Sequence, residues 1–206
     1  MFKTEQESFW AGKFGTDYVR RNNNEKYVSS NMAFFSKALS KISYPNSIIE
    51  FGANIGLNIR ALKLLFPDSK LNAIEINKDA VKELNKVLNT DNIFNGSILD
   101  YKSHEKFDVV LIKGVLIHIN PEYLNDAYQK LYDSCKKYLL IGEYYNPTPI
   151  SIPYRGHNDC LFKRDFAGEI LERFPNMRLI DYGFAYHKDP IFPQDDITWF
   201  LLEKNA

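Results

Sequence analysis

The residues best suited to chemistry stand at the ends of apolar runs. Ser47 to Asn58 reads S-I-I-E-F-G-A-N-I-G-L-N: a buried strand carrying Glu50, a turn punctuated by Gly52 and Gly56, then a helix start. Gly52 permits a sharp reversal, because glycine enters positive φ without a Cβ clash. Gly56 lets the helix pack close to the strand. Such a turn gathers free backbone N–H groups at a helix N-terminus, which suits a nucleotide. Glu75 closes the next apolar run, about 20 residues beyond the turn, the distance at which a carboxylate meets ribose hydroxyls. A carboxylate accepts hydrogen bonds from both hydroxyls of a ribose; the structural alternative is a solvated acid capping the next helix.

A second group of reactive side chains follows later in the chain. His118, in K-G-V-L-I-H, titrates near neutral pH and could take a hydroxyl proton, or serve packing alone. Glu143, Tyr144 and Tyr145 leave another apolar run, and Arg155, His157 and Asp159 lie in the segment after it. An acid, two phenols, a cation and an imidazole form a mixed wall suited to a polar acceptor: rings for sugar faces, Arg155 for a carboxylate or phosphate. His157 is the first candidate for a base and His118 the second, with Glu143 and Tyr145 beside them; Tyr144, Arg155 and Asp159 are the substrate contacts. Asp195-Asp196 is too small a set for a metal site, and no metal is expected. His104 and His187 are expected at the surface.

The elements that must position these residues follow from periodicity. Helices are expected over 27–42, 57–66, 78–88 (capped by Asn77), 121–135 (Pro121 at its first turn) and 163–174. Strands are expected over 48–51, 71–75, 93–94, 107–112, 138–143, 178–185 and 197–202. Residues 5–21 hold two aromatic clusters broken by Gly12 and Gly15 and do not read as one clean amphipathic helix. Residues 144–162, with three prolines, form a loop long enough to be functional. The alternation of strands and helices predicts an α/β three-layer sandwich. The last two strands, with no helix between them, pair antiparallel at one edge.

Composition narrows the classes. The chain has 206 residues, enough for one domain with a sizeable core. Lys plus Arg number 26 and Asp plus Glu 26, so charge gives no support to nucleic-acid binding. Two cysteines make no disulfide framework, and no apolar run is long enough to span a bilayer. A cytoplasmic protein is expected, with no membrane or nucleic-acid partner; the oligomeric state is not legible.

A mostly parallel seven-stranded sheet with one antiparallel edge strand is similar to the Rossmann-like sandwich of class I methyltransferases. The glycine turn resembles their acid-x-Gly-x-Gly-x-Gly motif, with Asn54 in place of the middle glycine. The resemblance implies S-adenosyl-L-methionine as cofactor. Glu50, Gly52 and Asn54 would stand at its methionine end and Glu75 at its ribose, with Phe51, Ala53 and Gly56 also among the cofactor-binding residues. Ile76 and Ile98 would flank the adenine beside Ser97, and Lys113 would stand near the methyl. The stretches E-F-G-A-N-I-G-L-N, K-G-V-L-I-H-I-N-P, E-Y-Y-N-P-T-P, Y-R-G-H-N-D, K-R-D-F-A-G-E and P-Q-D-D-I-T-W-F resemble the methylases associated with pseudaminic acid biosynthesis. That likeness implies a sugar, nonulosonic acid or nucleotide-sugar acceptor. F-W-A-G-K-F-G-T-D-Y-V-R-R-N resembles a lid segment, so residues 1–44 would cover a core of 45–206. Trp10 and Tyr18 would lie over the cofactor, and Arg20 or Arg21 would meet its carboxylate. The rivals are an NAD-dependent sugar dehydrogenase or epimerase, suggested by the glycine turn and by Tyr132-x-x-x-Lys136, and a non-catalytic cofactor-binding partner of a sugar-pathway enzyme.

Overall fold

The computed structural model describes residues 2–21, 24–154, 156 and 160–205. Its centre is β1 (Ser47–Phe51), in which Ile48, Ile49, Glu50 and Phe51 are all buried. A strand buried on both faces needs apolar residues without alternation, and S-I-I-E-F supplies them apart from Glu50. Parallel neighbours lie on either side: β2 (Lys70–Glu75) and β4 (Phe107–Lys113). Beyond β2 is β3 (Ile93–Asn95), and beyond β4 is β5 (Cys135–Glu143). The sheet is completed by β8 (Met177–Ala185) and β9 (Ile197–Lys204), giving the order β3-β2-β1-β4-β5-β9-β8. The last strand, β9, is antiparallel to both neighbours and slots in beside β5, one place inside the β8 edge.

Successive residues of a strand face opposite sides, and the core divides accordingly. On one side Ile48, Ala73, Leu111 and Leu140 pack under α3 (Lys26–Ala38), α4 (Leu57–Leu65) and Leu84 of α5 (Lys78–Leu84). On the other, Ile49, Phe51, Ile112 and Leu139 pack under α6 (Leu124–Ser134) and α7 (Phe166–Arg173). The C-terminal ends of β1, β2, β3, β4 and β5 therefore open at one sheet edge, where ligands bind in open α/β sheets.

Several boundaries differ from the sequence expectation. Residues 5–21 form two helices, α1 (Glu5–Ala11) and α2 (Lys13–Arg21), parted at Gly12. Thr4 and Glu7 make a reciprocal capping box at the start of α1. Helix α3 ends at Ala38, and with Phe34, Phe35 and Ala38 buried it belongs to the core rather than to a lid. Helix α5 ends at Leu84, after which the turn tightens. Pro121 opens a short 3-10 turn before α6. Helix α7 starts at Phe166, where Asp165 accepts a hydrogen bond from Gly168 N at 2.8 Å. The preceding Phe162–Lys163 is strand β7, paired with β6 (Ile150–Ser151) in a ribbon within the long loop.

Candidate active site

The first turn is built by backbone conformation. Gly52 has φ +79, and a Cβ there would lie 2.5 Å from Val115 Cγ2. Asn54 has φ 49, in the left-handed region that asparagine tolerates better than most residues. Asparagine therefore fills the middle-glycine position without destroying the turn. Gly56, at φ +82, packs on Leu84, whose Cδ1 would be 2.6 Å from a Cβ.

Three buried carboxylates mark the strand ends, each in a different state. Glu75 accepts hydrogen bonds from Asn77 N at 2.6 Å and Asn54 N at 2.7 Å, so it clamps the glycine turn to β2. Burial raises its pKa, opposed by those backbone donors. Glu50 is fully buried; one oxygen accepts from Asn58 Nδ2 at 2.6 Å and the other has no hydrogen-bond partner among the described residues. Desolvation pushes it up to about 7. Glu143 accepts from Val115 N and Leu116 N, both at 2.9 Å, and from Ile117 N at 3.5 Å. Desolvation also raises Glu143 to about 7. Glu143 thus secures the turn after β4, and its engaged, 2% exposed carboxylate corrects its expected place in the catalytic wall.

Two cavities meet at that turn. The first, about 180 Å³, is lined by Gly52, Asn54, Ile74, Glu75, Ile76, Asn77, Gly96, Ser97, Ile98, Leu99, Lys113, Gly114 and Val115. Helices α1 and α2 roof it through Glu7, Trp10, Gly15 and Tyr18. The roof is tied down at several points. Glu7 accepts from Ser97 Oγ, Asn77 Nδ2 donates to Trp10 O at 3.0 Å, and Thr16 Oγ1 donates to Asp79 at 2.9 Å. Lys3 pairs with Asp100 at 2.7 Å. Trp10 meets Tyr18 edge-on at 5.3 Å and the His118 ring at 4.7 Å. Its indole Nε1 is buried without a hydrogen-bond partner among the described residues.

Of the expected cofactor residues, Trp10, Tyr18, Gly52, Asn54, Glu75, Ile76, Ser97, Ile98 and Lys113 line this cavity. Glu50, Phe51, Ala53 and Gly56 stand behind its wall as supports. Arg20 is displaced from its expected place: its side chain is 77% exposed and lies 3.9 Å from Asp17 on the outer face of α2. Glu7 and Asn77 were missed as site residues; the T-x-x-E spacing at Thr4–Glu7 was the legible signal for the first.

The second cavity, about 450 Å³, is lined by Tyr18, Tyr27, Asn31, Lys113, Gly114, Ile117, His118, Tyr144, Tyr154, Gln194 and Asp195, among others. Gln194 and Asn31, both buried, hydrogen-bond each other at 3.0 Å. Burial pushes the Tyr144 phenol up. His118 Nδ1 lies 2.7 Å from Cys160 O; a carbonyl only accepts, so Nδ1 carries the hydrogen and Nε2 the lone pair. Desolvation lowers His118 to about 4, which keeps the ring neutral. Tyr145 departs from expectation: it is 42% exposed beside Phe200 and lines neither cavity. The two aspartates diverge, Asp195 lining the cavity while Asp196 holds His187 Nδ1 at 2.8 Å on the surface. His157, Arg155 and Asp159 lie outside the described residues. The described residues hold no cluster of His, Cys, Asp or Glu suited to a metal, and no helix among them is long and apolar enough to cross a membrane.

The dehydrogenase-like pair is placed away from both cavities. Tyr132 stacks on Phe174 at 4.1 Å and bonds Asn176, while Lys136 is exposed and paired with Asp108.

Neither a family model nor a curated protein sequence matches this chain. Solved structures do. Magnesium protoporphyrin IX methyltransferase (ChlM) from Synechocystis PCC 6803, with S-adenosylhomocysteine bound, superposes with a TM-score of 0.68 at 16% identity over 99% of this chain and 100% of that one. The 1,6-didemethyltoxoflavin-N1-methyltransferase of Burkholderia thailandensis gives 0.68 at 11% identity, covering 98% and 87%. N-methyltransferase NodS from Bradyrhizobium japonicum WM9 gives 0.64 at 15% identity, covering 98% and 97%. The fold is the Rossmann-like sandwich of class I methyltransferases.

Proposed function

We propose that this chain is an S-adenosyl-L-methionine-dependent methyltransferase acting on a polar small molecule of carbohydrate type. The observation that carries the reading is the meeting of two unlike cavities at Lys113, Gly114 and His118. The first cavity fits the cofactor. Its glycine turn admits close backbone approach, Ile76 and Ile98 offer apolar faces, and Glu75 is an acid at the end of β2. Trp10 Nε1 is a buried donor lacking a partner of its own among the described residues. When bound there, S-adenosyl-L-methionine supplies an electrophilic methyl on a positively charged sulfur. Ile76 and Ile98 would flank its adenine, Glu75 would hold its ribose, and Gly52 and Asn54 its methionine end.

The second cavity takes the acceptor. Tyr27, Tyr144 and Tyr154 supply ring faces, while Asn31, Gln194 and Asp195 supply hydrogen-bonding groups, as a hydroxylated ring requires. His118, held neutral, offers Nε2 as a hydrogen-bond acceptor that orients an acceptor O–H or N–H. Because the cofactor arrives activated, orientation accounts for much of the rate. A sugar, nonulosonic acid or nucleotide sugar of surface-glycan synthesis is the acceptor class, in keeping with the motifs similar to pseudaminic acid-associated methylases, and the setting is cytoplasmic. Arg155 and Asp159 join the acceptor contacts in this reading.

Isothermal titration with S-adenosylmethionine and with NAD tests the reading. Binding of the first alone supports it, and binding of NAD alone overturns it in favour of a dehydrogenase. Comparing nucleotide-sugar masses in cells with and without the protein then identifies the acceptor by one missing methyl.

A further inference from the structure

Methyl transfer to a hydroxyl or amine releases a proton, and the groups facing both cavities differ sharply in their capacity to take it. His118 is held too acidic by burial to serve well at neutral pH. Glu143 is committed to three backbone N–H groups, and Glu50 stands behind the wall. Lys113 remains. It closes β4, lines both cavities, and lies with its Nζ 5.5 Å from the centre of the Phe34 ring. Among the described residues its side chain makes no ion pair and no hydrogen bond. The charged groups that face it are Glu50 from β1, Glu143 from β5 and Asp195 from the segment before β9, and none approaches to ion-pair distance. Tyr18, His118 and Tyr144 share its cavity wall.

A half-buried ammonium in that position, over a ring face but without a bonded anion, is weakly held. Burial lowers the Lys113 pKa, opposed by the three carboxylates. A sulfonium held in the first cavity would add a second positive charge near Lys113 and would disfavour the ammonium further. The thioether left after transfer carries no such charge.

We infer that Lys113 is the proton acceptor of the transfer, neutral while the sulfonium is bound and protonated once the methyl has gone. The inference rests on the function proposed above. The balance is complete: the acceptor's oxygen or nitrogen bonds to the methyl carbon, and the carbon–sulfur bond breaks with its electron pair staying on sulfur. The acceptor's proton passes to Nζ. The positive charge lost by sulfur reappears on Lys113, so the junction keeps its net charge through the step.

The test needs no acceptor. Affinities of S-adenosylmethionine and S-adenosylhomocysteine are measured by titration calorimetry from pH 6.5 to 9.5, in two buffers of different ionisation enthalpy. In the wild-type protein, the sulfonium compound displaces a proton and the thioether does not. The ratio of affinities then moves toward S-adenosylmethionine by up to about tenfold per pH unit below the titration of Lys113. Lys113→Met abolishes both the proton release and the pH dependence of the ratio, and favours S-adenosylmethionine at neutral pH. Lys113→Arg, charged throughout, also flattens the ratio but holds it against S-adenosylmethionine. Equal pH profiles for the two ligands in the wild-type protein, or a pH-dependent ratio that survives in Lys113→Met, overturn the role of Lys113 while leaving the proposed function standing. Failure of both ligands to bind the wild-type protein overturns the proposed function and this inference together.

Discussion

The two cavities at the edge of the sheet are made in opposite ways. The first is shaped by main chain: a glycine at positive φ, strand ends, and a carboxylate, Glu75, already fixed by two backbone donors. The second is shaped by side chains: phenols, a buried Asn31–Gln194 pair, Asp195 and a neutral imidazole. Main-chain geometry changes little with sequence, whereas side-chain walls change with every substitution. In the function proposed above, the first cavity would hold an unchanging ligand and the second would set which acceptor is taken.

Substitutions should separate the two. The largest effect is expected for Gly52→Val. Its Cβ would lie 2.5 Å from Val115 Cγ2 at φ +79. The strained backbone alone costs roughly 1–3 kcal/mol. Calorimetry should find cofactor binding lost, and retained binding would show that the cavity is less dependent on backbone than described.

Glu75→Gln comes next. The amide keeps one acceptor oxygen but turns an NH₂ toward Asn54 N or Asn77 N. Loss of a charged hydrogen bond corresponds to roughly 1.5–3 kcal/mol, read as a 10- to 100-fold weaker cofactor by titration; unchanged affinity would remove Glu75 from the ribose. Glu50→Gln addresses stability instead. Glu50 keeps its proton to about 7 when folded but loses it near 4.5 when unfolded. The folded state therefore binds more protons between those values, and its stability is greatest below about 4.5 and falls as pH rises toward 7. Glu50→Gln should flatten that fall by roughly 1–3 kcal/mol in denaturant titrations. An unaltered slope would show that Glu50 is ionised in the folded protein. The smallest effect is expected for Asp195→Asn, on the acceptor side. Affinity for the thioether S-adenosylhomocysteine should change by less than about twofold, whereas turnover with the identified acceptor should fall; a large change in that affinity would merge the two cavities into one site.

Much of the first cavity was legible in the sequence because its parts are local. A glycine turn after an apolar strand and an acid closing the next strand survive as pattern, and Gly52, Asn54, Glu75 and Ile98 line the first cavity. The sheet was legible for the same reason, since runs such as F-D-V-V-L-I need burial on both faces. The departures are tertiary. Glu143 folds back onto the turn after β4, and nothing in E-Y-Y-N shows that Val115, Leu116 and Ile117 supply the donors. Arg20 faces outward because helix phase, rather than residue type, sets its direction, and Tyr145 is exposed in the segment beyond β5. Helix α7 starts late because a two-residue strand captures Phe162 and Lys163 from across the loop.

Asn77 carries a consequence beyond its cap. Its Nδ2 grips Trp10 O at the end of α1, while its own backbone N–H rests on Glu75. That grip holds the end of α1 over the first cavity. Asn77→Ala should then hasten product escape, and where escape paces the cycle it should turn over faster as it binds more loosely.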